Sequence, residues 1–155
     1  MRKHIVRALF AAVFLFAAVQ FVPVNRSNPP VEQDVPASPE ARAVLKRACY
    51  DCHSNEVVWP WYARVAPVSW LIARDVREGR EAVNYSTWNR LDAGDRREAV
   101  EESWEETEEG EMPLWFYLPL HPEAKLSDAD LAVLRGWSRQ GKLARTPARR
   151  SNDED

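Results

Sequence analysis

The sequence Cys49-Tyr50-Asp51-Cys52-His53 brings two thiols and one imidazole together within five residues. A C-x-x-C-H pentad is the attachment pattern of c-type haem, because one helical turn can present both thiols to the same edge of a porphyrin. The imidazole that follows is then in place to become the proximal iron ligand. Random order would produce such a pentad in roughly one of two thousand chains of this composition. The pentad therefore predicts one covalent haem c per chain, attached through Cys49 and Cys52, with His53 on the iron.

Two other uses of a C-x-x-C pair were compared with haem attachment. A thioredoxin-like dithiol follows a strand and opens a helix, but no alternating or β-branched apolar run precedes Cys49. A structural zinc site needs four ligands, and Cys49, Cys52 and His53 are too crowded to supply three of them. Both uses remain alternatives to the haem interpretation.

The sixth iron ligand has two candidates in the sequence. Met112, in Gly-Glu-Met-Pro, is the only methionine besides Met1, and its thioether would favour the reduced iron. Such a methionine could also fill a gap in a core. His121 is the competing ligand, because His4 belongs to the basic amino terminus. The expectation is Met112 as the distal ligand, with His121 as the alternative.

The first 24 residues resemble an export signal. A basic start is followed by an unbroken apolar run from Ala8 to Val19. The run is shorter than the roughly 20 residues of a full span, although residues 5–24 would suit a tilted anchor. Small residues two positions apart, which a signal peptidase requires, are missing. We therefore expect an uncleaved anchor that leaves the rest of the chain periplasmic, tethered to the inner membrane. The alternatives are a cleaved signal with a soluble periplasmic product, and a buried core helix.

Charge restricts the partners of the rest of the chain. Residues 1–24 hold three of the 21 basic residues and none of the 24 acidic ones, so the remainder has a net charge of −6. Nucleic acid is an improbable partner for such a surface. The expected partners are the membrane and a redox protein whose identity the sequence does not give.

The chain after the anchor divides into three parts. Residues 25–37 are predicted to be a Pro-rich linker, residues 38–140 the domain, and residues 141–155 a charged, disordered tail. Strand signals are weak, which predicts an all-α domain. Its helices are expected from the cap at Ser38 into Cys49, from Pro67 or Ser69 to Gly79, over residues 95–109 with Gly110 as the stop, and from the capping box of Ser127 and Asp130. Eight glutamates between Glu98 and Glu111 are interpreted as a solvated helix face rather than a metal site.

Several stretches resemble the small haem-binding domain family of bacterial, membrane-anchored c-type cytochromes. They are the stretch 49–55 (CYDCHSN), Trp59-Pro60-Trp61-Tyr62, Ala66-Pro67-Val68-Ser69-Trp70, Asp75-Val76, Gly79-Arg80, Glu111-Met112-Pro113, His121-Pro122-Glu123-Ala124 and Leu126-Ser127. The resemblance covers residues 36–140. It implies a cytochrome-c-like helical domain wrapped on one covalent haem, preceded by an amino-terminal anchor helix. It also implies Cys49 and Cys52 as attachment points, His53 as the proximal ligand and Met112 as the distal one.

Three functions were compared. The leading hypothesis is an electron carrier, which would not be an enzyme. The second is a haem-based gas or redox sensor with a labile sixth ligand. The third is a small haem peroxidase, which needs a distal base, and His121 is the histidine available for that role.

Overall fold

The computed structural model describes residues 1–143 of the 155-residue chain. Within this range the chain is helical, and its β pairing is limited to an isolated bridge between Gln33 and Thr87. The all-α prediction is therefore confirmed. The helices are α1 (Arg2–Val19), α2 (Pro39–Ala48), α3 (Tyr50–His53), α4 (Val68–Ala82), α5 (Ala93–Glu108) and α6 (Asp128–Leu143), and shorter 3-10 turns cover Trp61–Arg64, Trp88–Arg90 and Pro122–Ala124.

The helix boundaries follow local capping chemistry. The Ser38 hydroxyl accepts a hydrogen bond from the Ala41 amide at the start of α2. Ser127 and Asp130 form the expected capping box, in which the Asp130 carboxylate accepts from the Ser127 amide at 2.9 Å. Gly110 has a φ of +79°, the left-handed conformation that ends α5 and favours glycine. These stops and starts set the lengths of the helices that surround the core.

An aromatic and aliphatic core holds α2, α5 and α6 together. We call the buried cluster around Leu45, Tyr85, Trp88, Leu134 and Trp137 the apolar core. The Tyr85 ring meets the Trp88 and Trp137 rings at centroid distances of 6.5 Å each. Such contacts add to the stabilisation from burying large apolar surfaces. These tryptophans therefore serve packing.

The segment expected to be a free linker packs against the domain. Val35 has no exposed surface and belongs to the apolar core. The amides of Glu32 and Gln33 both donate to the Ser86 carbonyl, at 2.9 and 3.2 Å. We call residues 20–35 the strap. The segment therefore lies along the domain instead of forming a free linker, and backbone amides of the strap bind the domain.

The strap begins with a contact at the end of α1. The Gln20 side chain accepts from the Ala66 amide at 2.9 Å and donates to the Ala66 carbonyl at 3.3 Å. The α1 helix itself forms where a helix was expected, and none of its residues is buried. Among residues 1–143, no helix combines the length and the apolar character needed to cross a membrane.

The carboxyl-terminal boundary differs from the expected one. Helix α6 continues to Leu143, three residues into the predicted tail that began at position 141. The remainder of that predicted tail, residues 144–155, lies outside the described part of the chain.

Candidate functional site

The pentad forms a compact helical turn directly after α2. We call residues 49–53 the CxxCH turn. The Cys49 amide still donates to the Leu45 carbonyl at 2.8 Å, and the His53 amide donates to the Cys49 carbonyl at 2.9 Å. Both thiols are free, and both cysteines are half-buried as residues. Two thiols three positions apart on such a turn can react with the same ligand edge.

Burial keeps both thiols in their protonated form. Burial raises the pKa of the Cys49 thiol to about 12, and the neighbouring Cys52 adds to the effect. Burial likewise raises the pKa of Cys52 to about 12, with a further contribution from Asp51. A redox dithiol needs a lowered thiol pKa, and a zinc site needs thiolates. Within the described residues, no group of three His, Cys, Asp or Glu side chains is placed to hold a metal ion.

The His53 ring is oriented by the backbone that follows α4. Its Nδ1 lies 3.2 Å from the Val83 carbonyl oxygen, so this nitrogen carries the proton. Burial lowers the pKa of His53, against the opposing hydrogen bonds to Val83 and Gly79. The imidazole is therefore neutral near pH 7, and its Nε2 lone pair is the one that can bind a metal.

Gly79 allows α4 to approach the CxxCH turn closely. A Cβ at this position would lie 2.7 Å from the Cys52 carbonyl oxygen and 3.2 Å from the Cys52 Cβ. The prediction that Gly79 ends the helix is wrong, because α4 continues to Ala82. The physical reason for glycine here is a helix contact rather than a left-handed backbone.

Arg80 links the CxxCH turn to the strap. Its Nε donates to the Ser54 carbonyl at 2.7 Å, immediately after His53. Its Nη1 donates to the Ser27 carbonyl at 3.1 Å, and Nη2 donates to Asn28 Oδ1 at 3.0 Å. One guanidinium thus joins α4, the turn and the strap.

Two asparagine side chains continue this connection. The Asn55 Nδ2 donates to the Pro30 carbonyl at 2.9 Å, and the Asn84 Nδ2 donates to Asn55 Oδ1 at 2.9 Å. Ser54 has no exposed surface and Asn55 is 5% exposed. We call Arg80, Ser54, Asn55 and Asn84 the polar network. It fixes the backbone that leaves His53.

The loop that carries Met112 returns to the CxxCH turn. Met112 is partly buried just beyond α5, where its amide donates to the Glu106 carbonyl at 3.0 Å. Five residues later, the Tyr117 hydroxyl donates to Asp51 Oδ2 at 2.7 Å. Because Asp51 stands between the two cysteines, this bond fastens the loop to the turn itself.

His121 is engaged by other side chains of the protein. Its Nε2 contacts the Tyr62 hydroxyl, and its Nδ1 lies 3.3 Å from Glu123 Oε1. Its ring stacks on the Tyr117 ring, with 3.9 Å between centroids and 7° between planes. Both ring nitrogens of His121 therefore have protein partners in this arrangement.

One buried donor near the turn has no partner among the described residues. The Trp59 indole Nε1 is buried without a hydrogen bond. Its neighbour Val58 donates from its amide to Asp51 Oδ1 at 3.0 Å, which places this stretch beside the CxxCH turn. Buried indole N–H groups usually have an acceptor, so this donor suits a bound group that carries one.

A surface cleft of about 480 Å³ lies between the strap and α4. Trp59, Trp70 and Val76 form part of its apolar wall, with Arg74 and Arg77 among its polar residues. The thiols and the His53 ring do not line it.

Sequence reasoning missed the residues that hold the turn. Val83, Arg80 and Tyr117 reach it from 26 to 66 positions away. No spacing rule relates residues so far apart, and Asp51 was seen only as an interior residue of the pentad. The thiols and the imidazole, in contrast, are neighbours in sequence and in space.

A family model described as a haem-binding domain matches residues 14–140 of the chain. No curated protein and no solved structure gives a significant match.

Proposed function

The chain belongs to the haem-binding domain family, and from this premise we propose that it is a monohaem c-type cytochrome that carries electrons outside the cytoplasm. The observation that carries the proposal is the CxxCH turn, with the Nδ1 of His53 bonded to the Val83 carbonyl. This bond fixes the tautomer and orientation that a proximal ligand requires. A bound haem would supply an iron that takes up and releases one electron.

The two cysteines and the histidine of the turn each have a chemical role in this proposal. Cys49 and Cys52 would form the two thioethers. His53 would donate Nε2 to the iron. The unpaired Trp59 indole N–H would suit a carboxylate of the haem, which carries two propionates.

Met112 is proposed as the sixth ligand. Its loop is bonded to the turn through Tyr117 and Asp51, whereas the nitrogens of His121 contact Tyr62 and Glu123. The same contacts leave His121 poorly placed to act as the base of a peroxidase. Electron transfer without catalysis is therefore the function that the residues support best.

Covalent attachment is tested by denaturing the holoprotein and extracting it with acidified solvent. We expect the pigment to stay on the chain, because two thioethers hold it. Cys52→Ala leaves one thioether at most and should yield much less holoprotein. A pyridine haemochrome typical of free protoporphyrin IX would contradict covalent attachment.

The sixth ligand is tested by comparing Met112→Ala with His121→Phe, which keeps a ring against Tyr117 and removes both nitrogens. Met112→Ala should erase the far-red sulfur-to-iron band of the oxidised protein, admit carbon monoxide to the reduced protein and lower the reduction potential, because a soft ligand favours Fe(II). His121→Phe should do none of these. Loss of the native spectrum in His121→Phe alone would indicate bis-histidine ligation. Free carbon monoxide binding by the wild type would favour a sensor.

Location outside the cytoplasm, with residues 1–24 retained as an anchor, is a separate proposal. The basic start and the apolar run support export. The Gln20 contacts with Ala66 support retention, because cleavage after this position would remove them. Sequencing the mature amino terminus tests this, and a first residue between positions 19 and 25 would exclude retention.

A further inference from the structure

Two crosslinks fasten the 112–121 loop to the neighbourhood of the CxxCH turn. The first is the hydrogen bond from Tyr117 to Asp51, inside the turn. The second is the contact between His121 and Tyr62, in the 3-10 turn that follows it along the chain. The stacked rings of Tyr117 and His121 join the two crosslinks into one cluster. The ten-residue loop is therefore held near its carboxyl-terminal end, and Met112 stands at the opposite end.

We propose that Tyr117 is a positioning residue that holds the Met112 loop against the CxxCH turn, so that the sixth ligand stays bound. The proposal rests on the proposed role of Met112. Tyr117 would not touch the iron itself. It would act by limiting the positions that the loop can reach.

The hydrogen bond from Tyr117 to Asp51 is of a strong type, which suits a residue that holds a loop in place. A hydroxyl that donates to a carboxylate forms a stronger hydrogen bond than two neutral groups do. Burial raises the pKa of Tyr117, and the hydrogen bond to Asp51 raises it further. The hydroxyl therefore remains protonated near neutral pH. The Asp51 carboxylate also accepts from the Val58 amide, which fixes its orientation. The acceptor is thus held in place before the loop binds it.

This hydrogen bond matters because a ligand on a mobile loop is bound only in those molecules whose loop is in place. In the remaining fraction the sixth position would be open to an external ligand. Loss of the Tyr117 hydroxyl would increase this fraction. The expected phenotype is a partial version of Met112→Ala.

The test uses Tyr117→Phe in the full-length holoprotein, which removes the hydroxyl and keeps the ring against His121. Tyr85→Phe is the matched control, because the Tyr85 hydroxyl also makes one hydrogen bond, to Ser103 at 2.8 Å, but not to the loop. Carbon monoxide binding to the reduced protein measures the accessibility of the iron. Hydrogen exchange measures the loop directly, through the amides of Leu120 and His121, which donate to Tyr117 and Leu118.

Tyr117→Phe should speed exchange at these amides about tenfold and raise the carbon monoxide association rate by a similar factor, as expected for a lost bond to a charged acceptor. Tyr85→Phe should change neither quantity at these positions. Equal carbon monoxide binding in Tyr117→Phe and Tyr85→Phe, with Met112→Ala fully responsive, would overturn the positioning role alone. A silent Met112→Ala would overturn the ligand assignment and, with it, the positioning role.

Discussion

The apolar core and the polar network hold the same small domain by different means. The core joins α2, α5 and α6 through large side chains such as Leu45, Trp88 and Trp137. The network joins the CxxCH turn, α4 and the strap through a guanidinium and the amide side chains of Asn55 and Asn84. Apolar packing responds in a graded way to lost volume, whereas a buried polar group that loses its partner is left fully unsatisfied. The region proposed to bind haem is thus the one whose geometry depends on individual hydrogen bonds.

The largest expected effect tests the core. Leu45→Ala should lower the free energy of unfolding by about 2–5 kcal/mol, because Leu45 is 1% exposed and its loss leaves a cavity. Leu71→Ala is the control, since Leu71 is 45% exposed on α4 and should lose less than about 1 kcal/mol. Urea unfolding followed by circular dichroism measures both. Similar losses in the two variants would contradict the assignment of the core.

A smaller effect tests the contact between α4 and the turn. Gly79→Ala should destabilise the protein by about 1–3 kcal/mol, because the new methyl group meets the Cys52 backbone. Gly136→Ala, in α6, has nothing within 4 Å of the added Cβ. It should instead stabilise the protein by up to about 1 kcal/mol through helix propensity. The two variants differ in sign, and the same sign for both in urea unfolding would refute the close approach.

Gly79→Ala should also reduce the yield of holoprotein more than Leu45→Ala does, relative to the amount of folded chain. The reason is that the clash displaces Cys52 itself, whereas the cavity lies in the core. The ratio of haem absorbance to folded protein measures this difference.

The smallest expected effect is the pH dependence of the stability that Asp130 contributes at the start of α6. The Ser127 hydrogen bonds and Arg47 lower the pKa of Asp130 from 3.8 to about 2. A carboxyl with a lowered pKa stabilises the folded state above its unfolded pKa, and this contribution disappears as the pH falls from about 4 to about 2. The melting temperature of Asp130→Ala should therefore lie below that of the wild type at neutral pH, and the gap should close near pH 2. Asp128→Ala, in the same helical turn, is the control, and a gap that persists in acid would contradict the mechanism.

Local chemistry in the sequence predicted several of the helix ends and suggested the proposed ligands. The caps at Ser38 and Ser127 and the stop at Gly110 act within a few residues, so the sequence contains them entirely. The pentad is local in the same sense. Gly79 was misread, because a glycine that admits a neighbouring backbone and a glycine that ends a helix look identical in sequence.

The strap and the supports of the turn could not be predicted from local patterns. The polar residues and prolines of 25–37 are equally compatible with a solvated linker and with a segment that pairs along a domain. The choice depends on partners such as Ser86 and Arg80, more than 50 positions away. The identity of His121 likewise suggested a ligand, and only its contacts with Tyr62 and Glu123 revealed another use for both nitrogens.

The contacts of the strap also define how mechanical force would travel through the molecule. A pull on α1 would first load the hydrogen bonds between Gln20 and Ala66, which lies two residues before α4. If those bonds broke, the tension would pass along the strap to Arg26, whose Nη1 donates to the Ala63 carbonyl at 3.3 Å. It would then reach Ser27 and Asn28, which Arg80 binds. The same guanidinium binds the carbonyl that follows His53 by one residue. Tension on the amino terminus would therefore reach the proposed iron ligand only after the hydrogen bonds of Gln20 and Arg26 had broken.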